Sequence, residues 1–113
     1  MSLIRWFTKN VADTAEGTHA DLKPLELPEP PEQAMARVEA AVEKLPRWRV
    51  ESKDGSVLKA TRRTPIMRFV DDVTVTVEPA ENGSRVQARS ASRLGKGDLG
   101  QNRRNILELF GAI

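Results

Sequence analysis

The chain predicts an α+β fold: a two-layer sandwich in which a four-stranded antiparallel meander carries two helices on one face, in the order α-β-β-β-β-α, behind an N-terminal proline-rich arm. Three observations predict it. Met35, Val38, Val42 and Leu45 recur at helical spacing. Residues 69–77 alternate apolar and polar, apart from Asp71, and Asn82-Gly83 follows as a hairpin signal. Ile106, Leu109, Phe110 and Ile113 then form a second helical stripe at the C-terminus.

Each element has a local reason. Residues 1–30 show no period and end in Leu27-Pro28-Glu29-Pro30-Pro31, where proline removes donors and favours extended backbone. They read as an arm, either lying across the domain or adding an edge strand, and residues 31–113 read as the domain. Pro31 suits the first position of a helix over 31–45, Glu32 suits its positive end, and Pro46 stops it. Trp48 and Val50 alternate before Lys53-Asp54-Gly55, and Leu58 and Ala60 alternate after it. A three-residue loop sets Val50 against Leu58 and Trp48 against Ala60; a two-residue loop would set Val50 against Lys59, which burial disfavours. In the fourth strand, Arg85 to Arg93, Val86, Ala88, Ser90 and Ser92 face one way and Arg85, Gln87, Arg89 and Arg93 the other. Asp98 is the expected N-cap of a helix over 99–112, with Gln101 completing a capping box.

Composition bounds the chemistry. The chain has 113 residues, 39% hydrophobic and 30% charged, which suits one small soluble globular domain. The absence of cysteine excludes disulfides, thiolate metal sites and a cysteine nucleophile. A reducing compartment is compatible with this, and the expected location is cytoplasmic. No apolar run approaches the roughly 20 residues that span a bilayer. Leu3, Ile4, Trp6 and Phe7 are interrupted by Arg5, too short a run for a signal peptide. That tail is expected to dock on its own domain, with a weak interfacial anchor as the alternative.

The polar residues are unevenly placed. Residues 26–44 balance to −3 and residues 85–104 to +5. With Arg68, Arg89 and Arg93 on the uncovered sheet face, the basic segment suits an anion or an acidic macromolecule. Sequence-specific RNA reading is not expected, because the open-face positions of the last two strands carry no aromatic for base stacking. Two hairpin registers put Asp72 on that face beside Arg93, opposite either Arg93 itself or Ala91. Asp71 points the other way, towards the helices, where a carboxylate is costly unless hydrogen-bonded. Ser90 and Ser92 share its face, and Asn102 and Arg103 begin the last helix. These residues form either a polar clasp between helix and sheet or a small polar pocket.

Catalytic signals are thin. His19 is the only histidine and sits in the arm. Asp71 and Asp72 are adjacent in a strand, so they cannot flank one substrate as a carboxylate pair. No spacing resembles a metal site, and no cofactor is implied. Gly95-Lys96-Gly97-Asp98-Leu99-Gly100 spells G-x-G-x-x-G, but no parallel strand follows it, so a dinucleotide site is not expected.

The blocks Arg68-Phe69-Val70-Asp71-Asp72-Val73, Arg89-Ser90-Ala91-Ser92-Arg93-Leu94-Gly95, Asp98-Leu99-Gly100 and Asn102-Arg103, with Asp21-Leu22-Lys23-Pro24 and Trp48, resemble the Domain of Unknown Function 1499 family over residues 21–110. The resemblance implies an uncharacterised protein of bacterial or plastid type and transfers no activity. Some relatives have an added membrane-anchoring segment, and this chain is expected to lack one. Residues and resemblance together favour a non-enzymatic binding or interaction module, using the basic sheet face or the polar pocket at the helix–sheet junction. The alternative is a small hydrolytic or transfer enzyme built on Asp71, Arg93, Asp98 and Asn102.

Overall fold

The computed structural model describes residues 11–64, 69–93 and 100–113. The chain order there is β1 (Val11–Asp13), β2 (Leu25–Leu27), α1 (Pro31–Lys44), β3 (Trp48–Asp54), β4 (Val57–Arg63), β5 (Val70–Ala80), β6 (Gly83–Ser92) and α2 (Gln101–Ala112). The fold is α+β, and both helices pack on one face of an antiparallel sheet. The expected four-stranded meander is corrected: β3 to β6 form a meander with β3 at one edge, and two further strands on β6 make a six-stranded sheet ordered β1-β6-β5-β4-β3, with β2 also on β6. Two strands therefore precede the first helix.

Both extra strands come from the arm. The outer edge of β6 would otherwise present a row of unpaired backbone groups. β1 covers Arg89 to Ala91, and β2 covers Ser84 to Val86. Thr14 bridges the gap between them. Its amide donates to the Ala88 carbonyl at 3.0 Å, and its hydroxyl accepts the Ala88 amide at 3.0 Å and donates to Gln87 Oε1 at 2.7 Å. Three-residue strands are too short to leave a period in the sequence.

α1 begins as expected, with Pro31 in its first turn and Glu32 near its positive end. Ala34, Met35, Val38, Ala41 and Val42 are its buried face. The β3–β4 register is corrected. Asp54 pairs with Val57 across a two-residue loop, Gly55-Ser56, with Gly55 at φ +60° as a tight hairpin requires. The ladder then slips by one residue between Val50 and Ser52, so Val50 faces Ala60 and Trp48 faces Arg62. Lys53 lies opposite the buried Leu58 and reaches Glu39 of α1 at 2.9 Å. Without the bulge, that parity would carry Glu51 and Arg49 over the core and leave Trp48 in solvent.

Of the two registers for β5–β6, the one with Asp72 opposite Ala91 is present, and the ladder runs on to Ala80 opposite Gly83. The hairpin loop is Glu81-Asn82. Gly83 has φ +147°, and a Cβ there would lie 2.1 Å from the Leu27 carbonyl oxygen. The glycine is needed because β2 runs against it.

α2 starts two residues later than expected, at Gln101, and its N-cap is Gly100 at φ +81° with no side-chain cap bond. The expected Asp98–Gln101 capping box falls on Asp98, which lies outside the described residues. Ile106 and Leu109 are fully buried, each contributing about 1.5–3 kcal/mol from the apolar surface removed from water. No helix among the described residues is long and apolar enough to cross a membrane.

Candidate functional site

The covered face of the sheet changes from apolar to polar along its length. One cross-strand row is Leu58, Val75 and Ala88. The next is Ala60, Val73 and Ser90. The last is Trp48, Arg62, Asp71 and Ser92, one residue from each of β3 to β6. α2 lies over this polar end.

Asp71 is 2% exposed, on the covered face as its parity predicts. Among the described residues its partner is not Ser90, Ser92, Asn102 or Arg103, which the sequence places around it. Asn105 Nδ2 donates to Asp71 Oδ2 at 2.8 Å and to Ser90 Oγ at 3.1 Å. Ser90 Oγ donates to Asn102 Oδ1 at 2.7 Å, and Asn102 Nδ2 donates to Ser92 Oγ at 2.9 Å. Gln101 Nε2 donates to Asn105 Oδ1 at 2.7 Å. Ser90, Asn102 and Asn105 are all fully buried. The network ties α2 to β5 and β6, and low dielectric strengthens each of its bonds.

Beside it stands a second set that sequence reasoning missed. Arg62 is 9% exposed and is the cross-strand partner of Asp71. Its Nε donates to Glu108 Oε1 at 3.1 Å, and Trp48 Nε1 donates to the same oxygen at 2.6 Å. Arg62 Nη1 is buried with no hydrogen-bond partner among the described residues. A buried donor left unmatched costs about 1–3 kcal/mol, more when charged. Spacing carried signals for these residues: Asn102 and Asn105 lie in the helical stripe of Ile106 and Leu109, and Arg62 continues the buried parity of Leu58 and Ala60.

The remaining candidates lie elsewhere. Asp72 and Arg93 meet on the open face in a bidentate pair, Nε to Oδ2 and Nη2 to Oδ1, both 2.9 Å. Hydrogen bonding to the Asp72 carboxylate holds the Arg93 guanidinium still more firmly in its charged form. Arg89 Nε stands 3.8 Å from Asp13 Oδ2, and Arg85 Nε 3.2 Å from Glu26 Oε2. The acidic and basic segments thus partly neutralise each other where β2 meets β6. Arg103 leaves the cluster and pairs with Asp21 of the arm, its Nε donating to Oδ1 at 2.9 Å. That hydrogen bond pulls the Asp21 carboxyl below the usual aspartate range and raises the Arg103 guanidinium. Arg68 and Asp98 lie outside the described residues, as do Gly95 and Gly97 of the G-x-G-x-x-G segment.

Asp71, Ser90, Ser92 and Asn102 are therefore brought together, joined by Asn105 and flanked by Arg62. Arg89 and Arg93 project from the opposite face, and Arg103 points to the arm. Among the described residues no group of three or more histidine, cysteine, aspartate or glutamate side chains is placed to hold a metal ion.

Fold and site define a small α+β sandwich whose last helix is pinned to the sheet by a buried amide–hydroxyl–carboxylate network. A family model described as "Protein of unknown function (DUF1499)" matches residues 7–113, and the chain belongs to that family. No curated protein and no solved structure matches it.

Proposed function

We propose that this chain is a non-enzymatic binding module whose ligand site is the polar end of the helix–sheet junction, around Asp71, Ser90, Ser92, Asn102, Asn105 and Arg62. The observation that carries the reading is the buried Arg62 Nη1 donor, left unmatched beside a buried carboxylate. Buried polar groups are hydrogen-bonded in folded proteins, so an unmatched one marks where a further group belongs. The basic face is the weaker candidate, because Arg85, Arg89 and Arg93 each already face a carboxylate. The enzyme reading is weaker too: Asp71 and Asn102 lie under the helix while Arg93 lies on the opposite face, paired with Asp72. A cytoplasmic setting is part of the same proposal, and the lack of cysteine is compatible with it.

Native mass spectrometry of gently purified protein tests this. The expected result is a small-molecule adduct on the wild type that is released on denaturation and depleted in Arg62→Met. An adduct-free wild type that binds heparin at low salt would transfer the function to the open face.

A further inference from the structure

One step beyond the row of Trp48, Arg62, Asp71 and Ser92, arginines gather at the end of the sheet. The Arg63 amide donates to the Arg47 carbonyl at 3.0 Å, Arg63 pairs with Val70, and the Arg93 amide donates to the Val70 carbonyl at 3.1 Å. Neighbouring strands stand about 4.7–4.9 Å apart, so Arg47, Arg63 and Arg93 share one rim. All three are exposed, as is Arg49, two residues along from Arg47. Arg93 is matched by Asp72, and Arg49 Nε lies 3.9 Å from Glu51. Arg47 and Arg63 are matched by nothing: among the described residues neither guanidinium makes an ion pair or a hydrogen bond. Like charges on adjacent strands repel, and here no described carboxylate relieves them.

Arg47 carries a second mark. Among the described residues it is the only non-glycine with positive φ, at +69°. Glycine adopts that conformation without steric cost, and arginine does not. The turn alone would favour glycine, so what arginine adds at this position is its side chain.

Apolar groups stand at the same end. Phe69 is 43% exposed. Its amide donates to Thr64 Oγ1 and its carbonyl accepts the Thr64 amide, both at 2.9 Å, which fixes it one step past Arg63 and Val70. β1 starts here too: Val11 pairs with Ala91, two residues from Arg93, so residues 1–10 join the domain beside the arginines. Those residues lie outside the described ones, but their sequence interleaves Leu3, Ile4, Trp6 and Phe7 with Arg5 and Lys9. Aromatic and aliphatic side chains mixed with basic ones suit the headgroup boundary of a bilayer, and clustered arginine draws such a surface to anionic lipid. A nucleic acid or a small soluble anion would use the cations and leave the exposed apolar groups without a role.

We propose that this end of the sheet docks on an anionic lipid bilayer, with Arg47 and Arg63 against lipid phosphates and with Phe69 and the apolar side chains of residues 1–10 entering the interface. The surface is separate from the ligand site above, and its test does not involve Arg62.

The test is cosedimentation of the full chain with two kinds of vesicle, pure phosphatidylcholine and phosphatidylcholine mixed with phosphatidylglycerol. The expected result is binding to the mixed vesicles at low salt, weak binding to the neutral ones, and steep loss as salt is added. Each arginine near an anionic surface contributes roughly fivefold, so Arg47→Gln with Arg63→Gln should lower the partition coefficient at least about tenfold. Lys53→Gln with Arg85→Gln removes the same charge away from this end and should bind nearly as the wild type does. Far-ultraviolet spectra establish that each variant is folded. Trp6 and Trp48 are the only tryptophans, and Trp48 is buried, so a blue shift of emission on mixed vesicles should disappear in Trp6→Phe. Absence of binding to mixed vesicles at low salt overturns the proposal. Equal loss in the two double variants overturns it as well, since net charge alone would then explain the binding. Arginine-dependent binding of inorganic phosphate or heparin without vesicle binding reassigns Arg47 and Arg63 to a soluble anion or a polyanion and overturns the membrane surface.

Discussion

Asn105 Nδ2 donates to Asp71 Oδ2 at 2.8 Å, across 34 residues of sequence, and this contact fastens the last helix to β5. Both residues are buried, so removing either partner strands the other. Asp71→Ala and Asn105→Ala should each cost about 2–4 kcal/mol, measured by urea denaturation. A double-mutant cycle should show clear coupling. Asp72→Ala, on the open face, should shift the urea midpoint far less than either. Additive costs at positions 71 and 105 would contradict the clasp.

Gly83→Ala should destabilise by about 1–3 kcal/mol, because the new Cβ would lie 2.1 Å from the Leu27 carbonyl oxygen and the backbone must shift. Hydrogen exchange should quicken at the β2–β6 pairs, Leu25 with Val86 and Leu27 with Ser84. A variant with unchanged exchange there would show that β2 does not press on Gly83.

Thr14→Val keeps the shape and removes the hydroxyl that accepts the Ala88 amide at 3.0 Å. A buried donor then has no acceptor, for a cost of about 1–3 kcal/mol. The Ala88 amide should lose hydrogen-exchange protection while the centre of β5 keeps it. Equal loss across the sheet would point to global destabilisation instead.

Acid should open the Asp21–Arg103 pair. The folded state holds the Asp21 carboxyl below its ordinary value, chiefly through the hydrogen bond from Arg103. A depressed carboxyl adds stability above the unfolded-state value and loses it as pH falls through the folded one. Wild type and Asp21→Asn should therefore differ most near neutral pH and converge on acidification, from about pH 5 downwards. Both groups are exposed, so salt should shrink the difference. A gap that persists at low pH would assign Asp21 a role other than its charge.

The local rules were legible in the chain because they act over a few residues. The stripes of α1 and α2, the alternation of β5 and β6, the opposite faces of Asp71 and Asp72, and the Asp72–Arg93 pair all follow from periods of 3.6 and 2. What the tertiary structure alone decided depends on distant parts meeting. β1 and β2 exist because the edge of β6 needs partners, a need that three-residue segments cannot announce. The bulge at Glu51 exists because the Gly55-Ser56 loop sets one parity and the burial of Trp48 demands the other. Gly83 reads as a turn residue in the sequence, yet the arm is what requires it. Asp71 needed a donor on any reading. That the donor is Asn105, and that Arg62 is drawn to Glu108 with one nitrogen left over, was settled by where the helix lands on the sheet, since hydrogen bonds reward positions that only docking creates.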